Sequence, residues 1–151
     1  MNAAELSGRV IGVDLGSRRI GVAVSDSWRS VATAVTVLAR GPQLRDDHAT
    51  LAGIVERYGA VAVVVGMPLS LNGAAGPAAT GVLEEVEQLR RALPVPVDTV
   101  DERYTTVVAS AAMRATGRRA KRQRSVIDAA AAQVLLQGWL DRAQVASRAE
   151  L

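Results

Sequence analysis

The sequence contains no cysteine, which excludes disulfides, thiolate metal sites and a cysteine nucleophile. It has no phenylalanine and only 3% aromatic residues, so aliphatic side chains must fill the core. Its one histidine, His48, is remote from the other candidate ligands and is expected at the surface. Any metal would then be held by carboxylates, which favours a hard ion such as Mg²⁺ or Mn²⁺. Lysine is nearly absent: of the 18 basic residues, all but Lys121 are arginine. The longest apolar run, Gly59 to Met67, is too short to span a bilayer. Met1 to Gly8 lacks the layout of a signal peptide. A cytoplasmic protein is the expectation.

The chain has 151 residues, 49% hydrophobic and 22% charged, the composition of an ordinary globular protein. One domain over 1–151 is expected, with 1–8 and 143–151 as flexible tails. The net charge of +3 is modest, but arginines crowd between Arg114 and Arg124. Their planar forks match phosphate geometry better than lysine does.

Arg9 to Asp14 is apolar and β-branched and reads as a buried strand. After a turn at Leu15 to Arg19, Ile20 to Ser25 reads as a second strand, antiparallel because the connection is so short. A turn over Asp26 to Ser30 leads to a third strand, Val31 to Leu38. Gly41-Pro42 opens a helix with Leu44, Leu51, Ile54, Val55 and Tyr58 at helical spacing, stopped by Gly59. Ala60 to Gly66 suits a strand buried on both faces. A loop over Met67 to Gly76, a helix over Pro77 to Leu93 and a strand over Val95 to Val100 follow. Tyr104 to Thr116 reads as a short helix and Gly117 to Arg124 as a basic loop. Ser125 to Arg142 reads as the last helix. The order βββαβαβαα predicts an α/β fold: a mixed five-stranded sheet, a β-meander then alternating helices and strands, with helices on both faces.

Three acids stand out. Asp14 ends a buried strand, where a carboxylate is costly without compensation. Glu102 follows the Val95 to Val100 strand, and Asp128 lies in the first turn of the last helix. If the three converge, their repulsion calls for divalent cations. Two ions roughly 4 Å apart would suit phosphodiester hydrolysis, one activating water and the other stabilising the leaving oxygen. Each acid also has a plainer reading. Asp14 can bond its own turn, Asp128 can support the helix start three residues after Ser125, and Glu102 can pair with Arg103.

Four motifs sharpen the choice: Asp14-Leu-Gly-Ser-Arg-Arg-Ile-Gly-Val-Ala-Val-Ser-Asp26, Val65-Gly-Met-Pro-Leu69 with Asn72-Gly73, Asp101-Glu-Arg-Tyr-Thr-Thr106, and Asp128-Ala-Ala-Ala-Ala-Gln-Val-Leu-Leu-Gln137. In this order and spacing, over about Arg9 to Arg142, the chain resembles the YqgF/RuvX family of Holliday junction resolvases, also described as pre-16S ribosomal RNA nucleases. The resemblance implies an RNase H-like fold with Asp14, Glu102 and Asp128 as catalytic, metal-binding acids. Tyr104 stands where an aliphatic residue is more usual.

Around these acids, Gly16 lets backbone approach a phosphate, and Arg18 and Arg19 follow on the same turn. Arg103 is a candidate to hold the scissile phosphate or to orient Glu102. Arg118, Arg119, Lys121, Arg122 and Arg124 lead to Asp128 and form the expected nucleic-acid contact. Such contacts position a substrate without reading its sequence. Trp28 falls at a hairpin tip, where packing in a minor core is favoured over base stacking. Trp139 is expected in the core or a dimer interface.

The expected activity is that of a metal-dependent nuclease on branched DNA or precursor ribosomal RNA, and symmetric junction cutting would favour a homodimer. A non-catalytic nucleic-acid-binding module is the first alternative. An ATP-dependent kinase or chaperone-like ATPase shares the Asp-x-Gly hairpin but needs two lobes.

Overall fold

The computed structural model describes residues 8–68, 77–101 and 120–149, with the side chains of 77–78, 120–128 and 147–149 outside the description. Five strands form one sheet: β1 (Arg9–Leu15), β2 (Arg19–Ser25), β3 (Ala32–Ala39), β4 (Ala60–Met67) and β5 (Val97–Asp101). The described helices are α1 (Leu44–Tyr58), α2 (Pro77–Ala92) and α3 (Ala120–Ala149). None of the described helices is long and apolar enough to cross a membrane. The strand order is β3-β2-β1-β4-β5. The meander strands pair antiparallel, while β4 pairs parallel to β1 and β5 parallel to β4. This is the expected mixed sheet.

Side chains alternate across the sheet and so make two cores. Ile11, Val13 and Leu15 of β1 join Val63, Val65 and Val97 beneath Leu51 and Val55 of α1 and Val86 and Leu89 of α2. On the opposite face, Val10, Val64 and Val100 meet Ala132, Leu135, Leu136 and Leu140 of α3. Helices therefore cover both faces.

Two glycines carry structural weight. Gly59 ends α1 in the left-handed conformation, with φ +61°, where glycine carries no Cβ penalty. A Cβ on Gly12 would lie 2.7 Å from Leu136 Cβ and 3.1 Å from the Ala132 carbonyl oxygen. Only a residue without a side chain admits α3 at that spot.

The structure differs from the sequence reading at several boundaries. Helix α1 begins at Leu44, after an extended Gln43, rather than at Pro42. Helix α3 runs from Ala120 to Ala149, so 120–124 of the expected basic loop is helical, and so is the expected tail through Ala149. Arg, Gln and Ala are good helix formers, and Gln144 Nε2 donates to the Arg29 carbonyl at 3.0 Å, which holds the far end of the helix. The expected helix over Tyr104 to Thr116 and most of the loop after Met67 lie outside the described residues.

Candidate active site at the ends of β1 and β4

The hydrogen bonds of α3 set its direction. Gln137 Oε1 accepts from Ala32 N at 2.8 Å, and its Nε2 donates to the Ser30 carbonyl at 2.9 Å. Gln133 Nε2 donates to the Ala32 carbonyl at 3.1 Å. Ala32 pairs with Ser25, and Ser25 Oγ accepts from Val10 N at 2.8 Å. The C-terminal half of α3 therefore lies over the start of β1, and its N-terminal half points toward the end of β1 that carries Asp14.

Asp14 is partly buried and pairs with Gly21 of β2. By the strand alternation it shares the α3 side with Val10 and Gly12. The turn that follows is tight. Gly16 N donates to the Asp14 carbonyl at 3.1 Å, and a Cβ on Gly16 would come within 2.5 Å of the Arg19 carbonyl oxygen. Arg18 is exposed and Arg19 half-buried. A cleft of about 510 Å³ opens here, lined by Asp14, Gly16, Ser17, Arg40, Pro68 and Glu85, among others.

Asp128 lies on the helical backbone of α3, four residues ahead of Ala132. Its side chain lies outside the described residues, as do those of Lys121, Arg122 and Arg124. Glu102, Arg103, Arg118 and Arg119 also lie outside; Glu102 directly follows Asp101, the last residue of β5. Among the described residues no group of three His, Asp or Glu side chains is placed to hold a metal.

The most elaborate polar cluster was not anticipated. Arg40, just after β3, forks onto Glu85 of α2 with Nη1 to Oε2 at 2.7 Å and Nη2 to Oε1 at 2.9 Å. Its Nη1 also meets Asp47 Oδ2 at 3.3 Å, and its Nε donates to the Gly16 carbonyl at 3.0 Å. His48 Nε2 donates to Glu85 Oε2 at 2.9 Å. The side chains of His48 and Glu85 are only 4% and 7% exposed, so His48 is a buried partner and not the surface residue expected. Burial pushes the Glu85 carboxyl up, but hydrogen bonds from Arg40 and His48, backed by the charge of Arg40, outweigh it and hold the group below the usual glutamate range. The sequence did carry a signal for this cluster: Glu85 sits on the apolar stripe of α2, between Val82 and Leu89.

Other expectations resolve simply. Asp26, which closes the first motif, is a turn residue. Its Oδ1 accepts from Ser30 N at 2.7 Å and Val31 N at 3.1 Å, and its Oδ2 accepts from Ser30 Oγ at 2.6 Å. The Ser30 hydroxyl and the Val31 and Ser30 amides hold its carboxyl below the ordinary value despite slight desolvation. Trp28 is 81% exposed, contrary to the packing expected, because the turn projects beyond the sheet. Trp139 packs against the α3-side core.

A sequence profile of the family described as "RuvX: Holliday junction resolvase" matches residues 8–142. A Mycolicibacterium paratuberculosis protein named "Putative pre-16S rRNA nuclease" is 48% identical over 145 residues, covering 93% of this chain and 84% of its own length. A protein of the same name from Anaeromyxobacter dehalogenans is 43% identical, covering 89% and 97%. Among solved structures, T. thermophilus RuvC in complex with a Holliday junction substrate superposes with a TM-score of 0.57 at 18% identity, over 91% of this chain and 96% of that one. That likeness establishes the RNase H-like fold.

Proposed function

We infer that this chain, which belongs to the RuvX family and is a nuclease, cuts structured nucleic acid with a carboxylate site made of Asp14, Glu102 and Asp128. The observation that carries this reading is the seating of α3 over Gly12. From Gly12 to Asp14 the strand advances about 6.6 Å. From Ala132 back to Asp128 the helix advances about 6 Å, toward the same end of the sheet. Val100, two residues before Glu102, belongs to the same face. This supports three acids on one side of the strand ends.

An all-oxygen donor set at the partly buried end of a strand fits Mg²⁺ or Mn²⁺, and two ions are expected. When bound, the metal supplies an activated water and charge neutralisation at the scissile phosphate. Asp14, Glu102 and Asp128 would hold it. Gly16 lets a phosphate approach the backbone. Arg18 and Arg19 on the turn, with Arg103, Arg118, Arg119, Lys121, Arg122 and Arg124, would bind flanking phosphates and steer the strand inward. The substrate is precursor ribosomal RNA, the molecule in the relatives' name, or a four-way DNA junction, the one in the family's description, encountered in the cytoplasm. Symmetric cutting of a junction would require a two-fold dimer.

The test is cleavage with Mg²⁺ or Mn²⁺ of a four-way junction and a precursor 16S RNA, wild type beside Asp128→Asn. Cutting of either substrate that vanishes in the variant supports the reading and names the substrate. Failure of the wild type to cut either one would leave a nucleic-acid-binding module.

A further inference from the structure

The cluster around Arg40 joins three separate parts of the chain. The Arg40 amide donates to the Arg18 carbonyl at 2.9 Å, so its backbone already lies beside the β1–β2 turn. Its guanidinium then makes a fork on Glu85, a contact to Asp47 and a hydrogen bond to Gly16. Asp47 is itself fixed, since its Oδ1 accepts from Gly41 N at 2.8 Å. Glu85 is fixed from the other side by His48. No buried side-chain polar atom among the described residues lacks a partner.

A buried ionic cluster is a poor means of gaining stability, because desolvation cancels most of the attraction. What it does provide is direction. With Nη1 and Nη2 committed to Glu85 and Asp47, Nε has one orientation left, and it is used on the carbonyl of Gly16. Gly16 is two residues from Asp14 and bonded back to it through its amide. The turn is thus pinned from inside by its own bond and from outside by Arg40.

We propose that Arg40 is a positioning residue for the active site: held by Glu85 and Asp47, it fixes the Gly16 turn and with it the carboxylate of Asp14. The inference rests on Asp14 being a metal ligand, as argued above. Lysine at position 40 would still neutralise Glu85 but cannot fork onto it and also reach Gly16. A purely stabilising role would therefore be largely rescued by lysine, and a positioning role would not.

The experiment compares wild type, Arg40→Lys, the charge-balanced double variant Arg40→Gln/Glu85→Gln and Asp14→Asn, each assayed well below its own melting temperature. Two quantities are read: the Mn²⁺ dissociation constant from the free-ion electron spin resonance signal, and kcat and KM on the cleaved substrate. Both Arg40 variants are expected to bind Mn²⁺ about tenfold more weakly and to lose about tenfold to hundredfold in kcat, with KM little changed. Wild-type Mn²⁺ affinity and kcat in a folded Arg40→Lys, beside a loss in Asp14→Asn, would overturn the positioning role alone. Wild-type Mn²⁺ affinity in Asp14→Asn would remove the ligand assignment and the inference with it.

Discussion

Leu136 packs over Gly12 with no room for a methyl group between them. The separation of α3 from β1, and hence the place of Asp128 relative to Asp14, depends on a missing side chain. Gly12→Ala is therefore expected to push the helix off the sheet. Overpacking of this kind costs about 1–3 kcal/mol, readable as a lower urea midpoint. Nuclease activity should fall further than the lost stability explains, because the folded fraction remains high. Full activity in Gly12→Ala would show that the spacing of α3 is not critical to the site.

Asp14→Asn should abolish cleavage while leaving the fold and most nucleic-acid binding intact. Asn keeps the size and can still bond its turn, but it withdraws the negative charge a divalent cation needs. Circular dichroism, a binding titration and a cleavage assay on the same preparation check all three parts. Unaltered cutting would defeat the metal-site assignment.

Glu85 gives a pH dependence of stability with a definite sign. Its carboxyl is held below the usual range in the folded protein, so its contribution is full above the unfolded glutamate value of about pH 4.3. That contribution disappears as the pH falls through the lowered folded value. At pH 7, Glu85→Gln should lose about 1.5–3 kcal/mol, because the substitution leaves the partly buried Arg40 charge without its compensating carboxylate. Urea melts from pH 7 to pH 3 should show the gap between wild type and variant steady at first, then closing at the acid end. A gap unchanged at pH 3 would mean the carboxylate is not what the cluster stabilises.

Neutralising Arg118, Arg119 and Arg122 together should weaken nucleic-acid binding and flatten its salt dependence. Each lost phosphate contact lowers the slope of log K against log salt by about 0.9 on duplex DNA. Affinities measured between low and physiological salt decide it, and an unchanged slope would move the contact surface elsewhere.

Most of the fold was legible because alternation and helical periodicity are local signals. β1, β2, β3 and β4 fall within about a residue of where their apolar patterns put them, and β5 is shifted by two at its start. The C-terminal end of α3 was not legible, since its extra turns are held by a contact from Gln144 to Arg29, more than a hundred positions away. The candidate acids were named through their motifs, but the Arg40 cluster was not. Its partners are 7 and 45 residues apart in sequence, and burial of a charge depends on such distant neighbours. His48 was misread for the same reason: a lone histidine in the first turns of a helix looks solvated until Glu85 arrives from another helix.

Three glutamines of α3, Gln133, Gln137 and Gln144, grip the β2–β3 turn through its main chain: the carbonyls of Arg29, Ser30 and Ala32 and the amide of Ala32. Such a grip is indifferent to which side chains the turn displays. Trp28 at its tip is therefore free to drift between relatives, or to carry a fluorescent label, without unseating the helix. Gln133, Gln137 and Gln144 lack that freedom, and variation should be concentrated on one side of this contact and scarce on the other.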